Sequence, residues 1–326
     1  MSTRETAISK WIALPGSTTI RAMDLWAGAR NLYRALRDYE GSRVIGEIIT
    51  PWLAEGRDDC RTQLDQLSAY AKNAESSDRG GYWLEALYAL SRVSDVLLLA
   101  FQPELAPGLD TPWAHQLHLA GADWPAITRE QYLELFAALG MSPITDLRFD
   151  PMFHEIVEVD QAEDPDAPIT VIELVWPGMM LGQMVFARAG VKVRAGAHHA
   201  EQGVADRSPL YWTFLRRHRP TIDLSLGWGH NSQWSTDFRR DYSTDHAHHL
   251  NIDVTGDIDA DDPADGDLTP LLTGADRRDL VRHRCLIRTP HDRQALDAAD
   301  AHWATNLWPF YWALTIQQDQ QNTYSR

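Results

Sequence analysis

The sequence has little cysteine and no long apolar segment, and each shortage excludes a class of protein. Among 326 residues, only Cys60 and Cys285 are cysteines, too few for a disulfide framework or a CxxC zinc site. The longest apolar run covers residues 96–101, far short of the roughly 20 residues of a membrane-spanning helix. The motifs G-x-x-x-x-G-K-[ST] and G-x-G-x-x-G are both absent, so neither standard phosphate-binding loop is present.

Basic residues are also scarce relative to acidic ones. The chain has 30 Lys and Arg against 46 Asp and Glu, a formal net charge of −16. This balance disfavours nucleic acid and anionic membranes as partners. Residues 1–16 contain no apolar core behind a basic segment, so we expect no signal peptide. With the scarcity of cysteine, these features predict a cytoplasmic protein that binds neither nucleic acid nor membrane.

The periodicity of apolar residues predicts an α+β protein in three parts. Residues 1–126 form a helical region, in which Asp24 is the expected N-cap of the first amphipathic helix. Glycines and Pro51 should break this region into two or three helices, because proline removes a backbone hydrogen bond. For residues 127–196 the pattern predicts a helix followed by a small β unit. For residues 204–326 it predicts a Trp- and His-rich α+β domain.

The clearest local signals begin at residue 128. Thr128 and Gln131 have the spacing of a capping box, which starts a helix. Apolar residues then recur with helical spacing at four positions: Tyr132, Leu135, Phe136 and Leu139. Gly140 follows where a left-handed residue would end the helix.

The segment after this helix resembles a known family. Phe149-Asp150-Pro151 is followed by His154-Glu155-Ile156-Val157. Later positions complete the pattern: Gly178, Leu181, Val185, Val191 and Val193. Over residues 128–194 this succession resembles the GrpE family of Hsp70 nucleotide exchange factors. The resemblance implies a compact β unit that docks on the ATPase domain of an Hsp70-type chaperone or on a related protein.

Several positions depart from the family pattern. Met179 replaces a tyrosine, Met184 and Ala187 replace arginines, and Arg188 lies one position out of register. The resemblance implies a docking face near Glu155, Met179, Met184 and Arg188. The missing arginines should weaken or redirect binding, because charge-assisted contacts are strong. A homodimer is a further expectation, altered by the breaks in the N-terminal helices.

His154 and Glu155 allow two interpretations. Adjacent imidazole and carboxyl groups could act as an acid/base pair. The resemblance instead implies a structural role, in which His154 orders a turn and packs at the start of a strand.

A second hypothesis is an enzyme, or a protein that binds a small molecule or a metal, with its site in residues 204–326. An H-x-H pattern on a strand would place His246 and His248 on one face, and Asp253 could complete a zinc or iron site. A divalent metal is therefore a possible cofactor, and the cofactor is otherwise unknown. Chance clustering is the alternative, since the chain contains 13 histidines.

A glycine-rich loop near residue 230 offers a site for a small molecule between two indoles. Its candidate ligand-binding residues are Trp228, His230, Asn231, Gln233 and Trp234. The alternative is a tight turn whose indoles pack into the core. A third hypothesis, an immunity-type antagonist of another protein, suits the acidic charge and the many aromatic residues.

Overall fold

The structure of the protein, a computed structural model, describes residues 24–70, 80–102, 125–206, 238, 240–254, 256, 258–259, 274–283 and 312–318. Helices and strands both occur in it, which confirms the predicted α+β class. The helical elements are α1 (Leu25–Arg37), a π-helical turn (Ile45–Ile49), α2 (Thr50–Asp65), α3 (Gly80–Leu98), a 3-10 turn (Leu99–Phe101), α4 (Arg129–Ala138) and α5 (Gly274–His283). The strands are β1 (Ser142–Pro143), β2 (His154–Gln161), β3 (Thr170–Trp176), β4 (Met179–Leu181), β5 (Met184–Ala187), β6 (Ala189–Ala195), β7 (Tyr242–Ser243), β8 (Ala247–Leu250) and β9 (Leu314–Gln317).

The first helix, α1, buries one side, as its sequence predicts. Its core-facing residues are Leu25, Ala29, Leu32, Tyr33 and Leu36, each at most 1% exposed. Asp24 precedes the helix and accepts a 3.4 Å hydrogen bond from the Ala27 amide, which agrees with its expected capping role. Trp52 of α2 donates a 2.9 Å hydrogen bond to the carbonyl of Gly28. This bond joins α1 to α2.

Pro51 is accommodated by a widened turn. Residues 38–43, which include Gly41, separate α1 from the next helical stretch, as predicted; residues 44–65 are helical without interruption, so the predicted break at Pro51 is wrong. Pro51 lies in the first turn of α2, directly after the π-helical turn Ile45–Ile49. Within this turn the Thr50 amide donates to the carbonyl of Ile45, a longer loop than in an α-helix. Pro51 has no amide hydrogen to donate, and the wider turn lies directly before it, where the helix meets this missing bond.

The helix α3 carries buried polar groups that are paired inside the core. Residues 92–98 are all buried, and seven consecutive residues cover every side of a helix. Arg92 and Asp95 form an ion pair of 3.0 Å, and their side chains are only 3% and 8% exposed. Ser94 shares a 2.7 Å hydrogen bond with the hydroxyl of Tyr132 on α4. Polar contacts as well as apolar packing therefore fix the position of α3.

The helix α4 has the predicted beginning and end. The Thr128 side chain accepts from the Gln131 amide, and the Gln131 side chain accepts from the Thr128 amide, which completes the capping box. The four predicted core residues are all buried: Tyr132, Leu135, Phe136 and Leu139. Gly140 follows with φ of +89°, the left-handed conformation expected at the end of a helix.

A three-stranded sheet has the order β2-β6-β3. The strand β2 runs parallel to β6, and β3 runs antiparallel to it. His154 lies opposite Ala189, and Ile156 lies opposite Val191. The strand that begins at His154 and the strand that contains Val191 and Val193, both quoted for the resemblance, therefore lie side by side in one sheet.

A six-stranded sheet has the order β1-β4-β5-β7-β8-β9. Its first three strands come from residues 142–187, and its last three come from residues 242–317. The strands β5 and β7 are paired at Met184 and Tyr242. The predicted β unit and the predicted C-terminal domain thus contribute strands to the same sheet.

One large apolar cluster joins the N-terminal helices to the sheets. It contains residues from both parts, among them Leu32, Leu90, Phe136, Trp176, Met184 and Tyr242. The rings of Phe136 on α4 and Phe186 on β5 lie 5.3 Å apart between centroids. A smaller cluster on the other side of the three-stranded sheet contains Ile156 and Val191.

Trp176 ends β3 and packs directly on β6. Its side chain is fully buried, and its indole nitrogen donates a 3.1 Å hydrogen bond to the carbonyl of Arg188. Gly190 lies opposite Trp176 in the sheet. A Cβ atom added at Gly190 would lie only 2.2 Å from the indole ring. The close approach of the two strands here therefore requires glycine.

We expect Gly190→Ala to lower the free energy of unfolding by about 1–3 kcal/mol, the usual cost of forcing an extra carbon into a packed core. Urea titration followed by circular dichroism would measure the change. Gly46→Ala is the matched control, because nothing lies within 4 Å of the Cβ that it adds. Equal unfolding midpoints for the two variants would contradict the assigned role of Gly190.

Candidate functional site

The four residues of the expected docking face are mostly buried within the chain. Met179 and Met184 are fully buried and belong to the large apolar cluster. Glu155 is 2% exposed, and the side chain of Arg188 is 14% exposed. Buried side chains do not reach a partner, so these positions do not form a contact surface. For Met179 and Met184 the cause is tertiary, since the N-terminal helices pack against them.

Arg188 instead ties three parts of the chain together. Its guanidinium donates to the carboxylate of Asp241 at 2.9 Å and to the carbonyl of Pro151 at 3.1 Å. The second carboxylate oxygen of Asp241 accepts a 2.8 Å hydrogen bond from the Asn251 amide. Asn251 also donates from its side chain to the carbonyl of Trp312 at 3.0 Å. Losing one partner of such a buried pair is strongly destabilising, which indicates a structural role for Arg188.

His154 orders the turn before β2, as the structural interpretation predicts. Its Nδ1 atom lies 3.1 Å from the Asp150 amide nitrogen, and its Nε2 atom lies 2.9 Å from the Asp146 carbonyl oxygen. A carbonyl oxygen can only accept, so Nε2 carries a proton. Nδ1 also lies 3.2 Å from the Asp150 carbonyl oxygen, so it accepts from the Asp150 amide when the ring is neutral and donates to that carbonyl when the ring is charged. The imidazole is 3% exposed, and burial lowers the pKa of His154. Burial therefore favours neutral His154.

The three predicted metal ligands differ in burial and in the residues that they contact. His246 lies in a bend before β8 and is exposed, so the alternation of a strand does not pair it with His248. His248 is buried, 3.7 Å from the carboxylate of Asp150. Asp253 is bound by the guanidinium of Arg240. Within the described part of the chain, no group of three His, Cys, Asp or Glu side chains could hold a metal ion.

The predicted ligand-binding loop lies outside the described residues. This applies to all five of its candidate positions: Trp228, His230, Asn231, Gln233 and Trp234. The small-molecule hypothesis for this loop therefore stays a prediction.

The three-stranded sheet presents a charged face that the sequence analysis missed. Lys192 on the middle strand lies opposite Glu158 on one side and Glu173 on the other. In the next row, Arg194 lies opposite Asp160 and Thr170. The sequence does contain a signal for this face, because Lys192 and Arg194 alternate with valines along β6. In a strand, such alternation places the two basic side chains on one face and the valines on the other.

Charges of both signs interact on this face. The ammonium of Lys192 lies 2.5 Å from the carboxylate of Glu158. This hydrogen bond raises the pKa of Lys192, and the charges of Asp160 and Glu173 act in the same direction. Glu158, Glu173 and Arg194 are exposed. This charged face, defined by residues 158, 160, 173, 192 and 194, is an arrangement suited to binding a protein with complementary charges.

Comparison with known proteins identifies no relative: no protein-family model, curated protein or solved structure matches the chain. A proposal of function therefore depends on the sequence and the structure of the chain itself. None of the described helices combines the length and the apolar character needed to cross a membrane.

His154 predicts a specific dependence of stability on pH. Its pKa in the folded protein lies below the unfolded value of about 6.5 because the ring is buried. Its contribution to stability is therefore complete above pH of about 6.5 and is lost as the pH falls through the folded pKa. We expect His154→Gln to be less stable than wild type at pH 7.5 and to lose less further stability between pH 7.5 and 5. Melting temperatures across this range would measure the difference.

His246→Gln is the matched control, because His246 is exposed. Its melting temperatures should follow those of wild type at every pH. Parallel curves for wild type and His154→Gln would contradict the assignment, since carboxylates alone would then account for the acid lability.

Proposed function

We propose that the chain is a protein-binding module that docks on the ATPase domain of an Hsp70-type chaperone and acts as a divergent nucleotide exchange factor. The observation that carries the proposal is the continuity of residues 128–194. This segment, which resembles GrpE in sequence, folds as one helix followed by paired strands. The turn held by His154 and the strand that contains Val191 lie side by side.

The charged face of the three-stranded sheet is the docking surface in this proposal. The opposite face is covered by its own apolar cluster, which contains Val159 and Val193. The side of the β unit near Met179 and Met184 is covered by the N-terminal helices. Glu158, Glu173 and Arg194 remain exposed and can make rim contacts that steer association.

Met179, Met184 and Ala187 depart from the family pattern. We therefore expect a complex that is weaker than that of the family or that forms through a different surface. Arg188 is engaged with Asp241 and is therefore occupied within the chain. The proposed activity belongs in the cytoplasm: Cys60, the described cysteine, is a buried free thiol, which fits a reducing compartment.

Release of a fluorescent ADP analogue from a purified Hsp70 ATPase domain tests this function. We expect the wild-type chain to accelerate release, and ATP to dissociate the complex. Reversing two charges, in the Glu158→Lys/Glu173→Lys variant, should weaken binding by about tenfold or more, because complementary contacts become repulsive.

The matched control is Glu55→Lys/Asp58→Lys, which makes the same change in net charge on exposed positions of α2. This variant should bind like wild type. No binding of the wild-type chain at high micromolar concentration, by calorimetry, would contradict the proposed function.

A further inference from the structure

The strand β3 is an exposed edge of the three-stranded sheet. Within the described residues it pairs only with β6, since the order is β2-β6-β3. An edge strand presents unpaired amide and carbonyl groups, to which a strand from another protein can add. Recognition at this edge can therefore use either the backbone or the side chains.

The geometry of β3 disfavours the addition of a strand. Its register with β6 shifts between Val171 and Glu173 and again between Leu174 and Trp176. Each shift is a bulge, and bulges twist an edge and interrupt the regular spacing of its hydrogen-bonding groups. Two bulges in seven residues leave no regular template for a partner strand.

The first bulge directs an apolar side chain into solvent. Ile172 is the extra residue of this bulge and is 48% exposed. Only Ile172 and Leu147 are exposed large apolar side chains among the described residues. Ile172 adjoins Glu173 in the charged face, so apolar and charged contacts are available together.

The charges near Ile172 identify the kind of partner. The loop between β2 and β3 adds exposed carboxylates at Glu163, Asp164 and Asp166 to those of Glu158 and Glu173. With Asp160 of the charged face they make six carboxylates, against two basic side chains, Lys192 and Arg194. A second copy of the chain would bring carboxylates against carboxylates, which is unfavourable. A protein surface with basic groups is complementary.

We infer that Ile172 is an apolar anchor that enters a pocket bordered by basic side chains on the partner, and that β3 does not accept a strand. This inference rests on the proposed function and names the mode of recognition. An anchor of this kind, buried at the centre of a small interface, contributes much of its affinity.

Two substitutions at one position test the anchor. Ile172→Val removes one methylene and keeps an apolar β-branched side chain. Ile172→Thr introduces a side chain with nearly the shape of valine, in which a hydroxyl group stands in place of one methyl group. Affinity for a purified Hsp70 ATPase domain would be measured by calorimetry at low and high salt. We expect Val to weaken binding by about fourfold at most and Thr by about tenfold or more. Raising the salt should weaken all complexes, since the rim contacts are electrostatic.

Leu147→Thr is the control, because it makes a comparable change at the other exposed apolar side chain and should bind like wild type. Equal affinities of wild type and Ile172→Thr would overturn the anchor while leaving the proposed function intact. Absence of binding by the wild-type chain would overturn both. A wild-type dimer in sedimentation that Ile172→Thr dissociates would also overturn the inference, because the occupant would then be a second copy.

Discussion

The contact between the indole of Trp176 and the backbone at Gly190 lies where the helices and both sheets come together. Trp176 ends β3, belongs to the apolar cluster that includes the N-terminal helices, and donates to the carbonyl of Arg188. Arg188 in turn holds Asp241, next to β7 of the six-stranded sheet. A displacement of the indole would therefore disturb apolar packing and a buried ion pair together.

The same packing determines which faces of the β unit are covered within the chain. Helices cover the side of the β unit around Met179 and Met184, and an apolar cluster covers one face of the three-stranded sheet. Among the described residues of the three-stranded sheet, a charged face and a bulged edge stay exposed, in front of a packed apolar cluster. A surface that is held in place before binding loses little conformational freedom when it binds, which favours affinity.

Local signals in the sequence predicted the elements well, but not their mutual positions. The capping box of Thr128 and the left-handed Gly140 depend on neighbouring residues alone, so both were recognisable. The burial of Met184 depends on helices far away in the chain and on its pairing with Tyr242. No local pattern encodes such contacts. For the same reason, the metal hypothesis assigned His246 to a strand that begins one residue later.

Hydrogen exchange of the chain with and without an Hsp70 ATPase domain tests the central claim most directly. The account predicts added protection of the amides of residues 158–160 and 170–174, at the charged face and its edge, with little change in α1 and α2. Protection confined to residues 25–65, or none anywhere at saturating partner, would contradict docking through the three-stranded sheet.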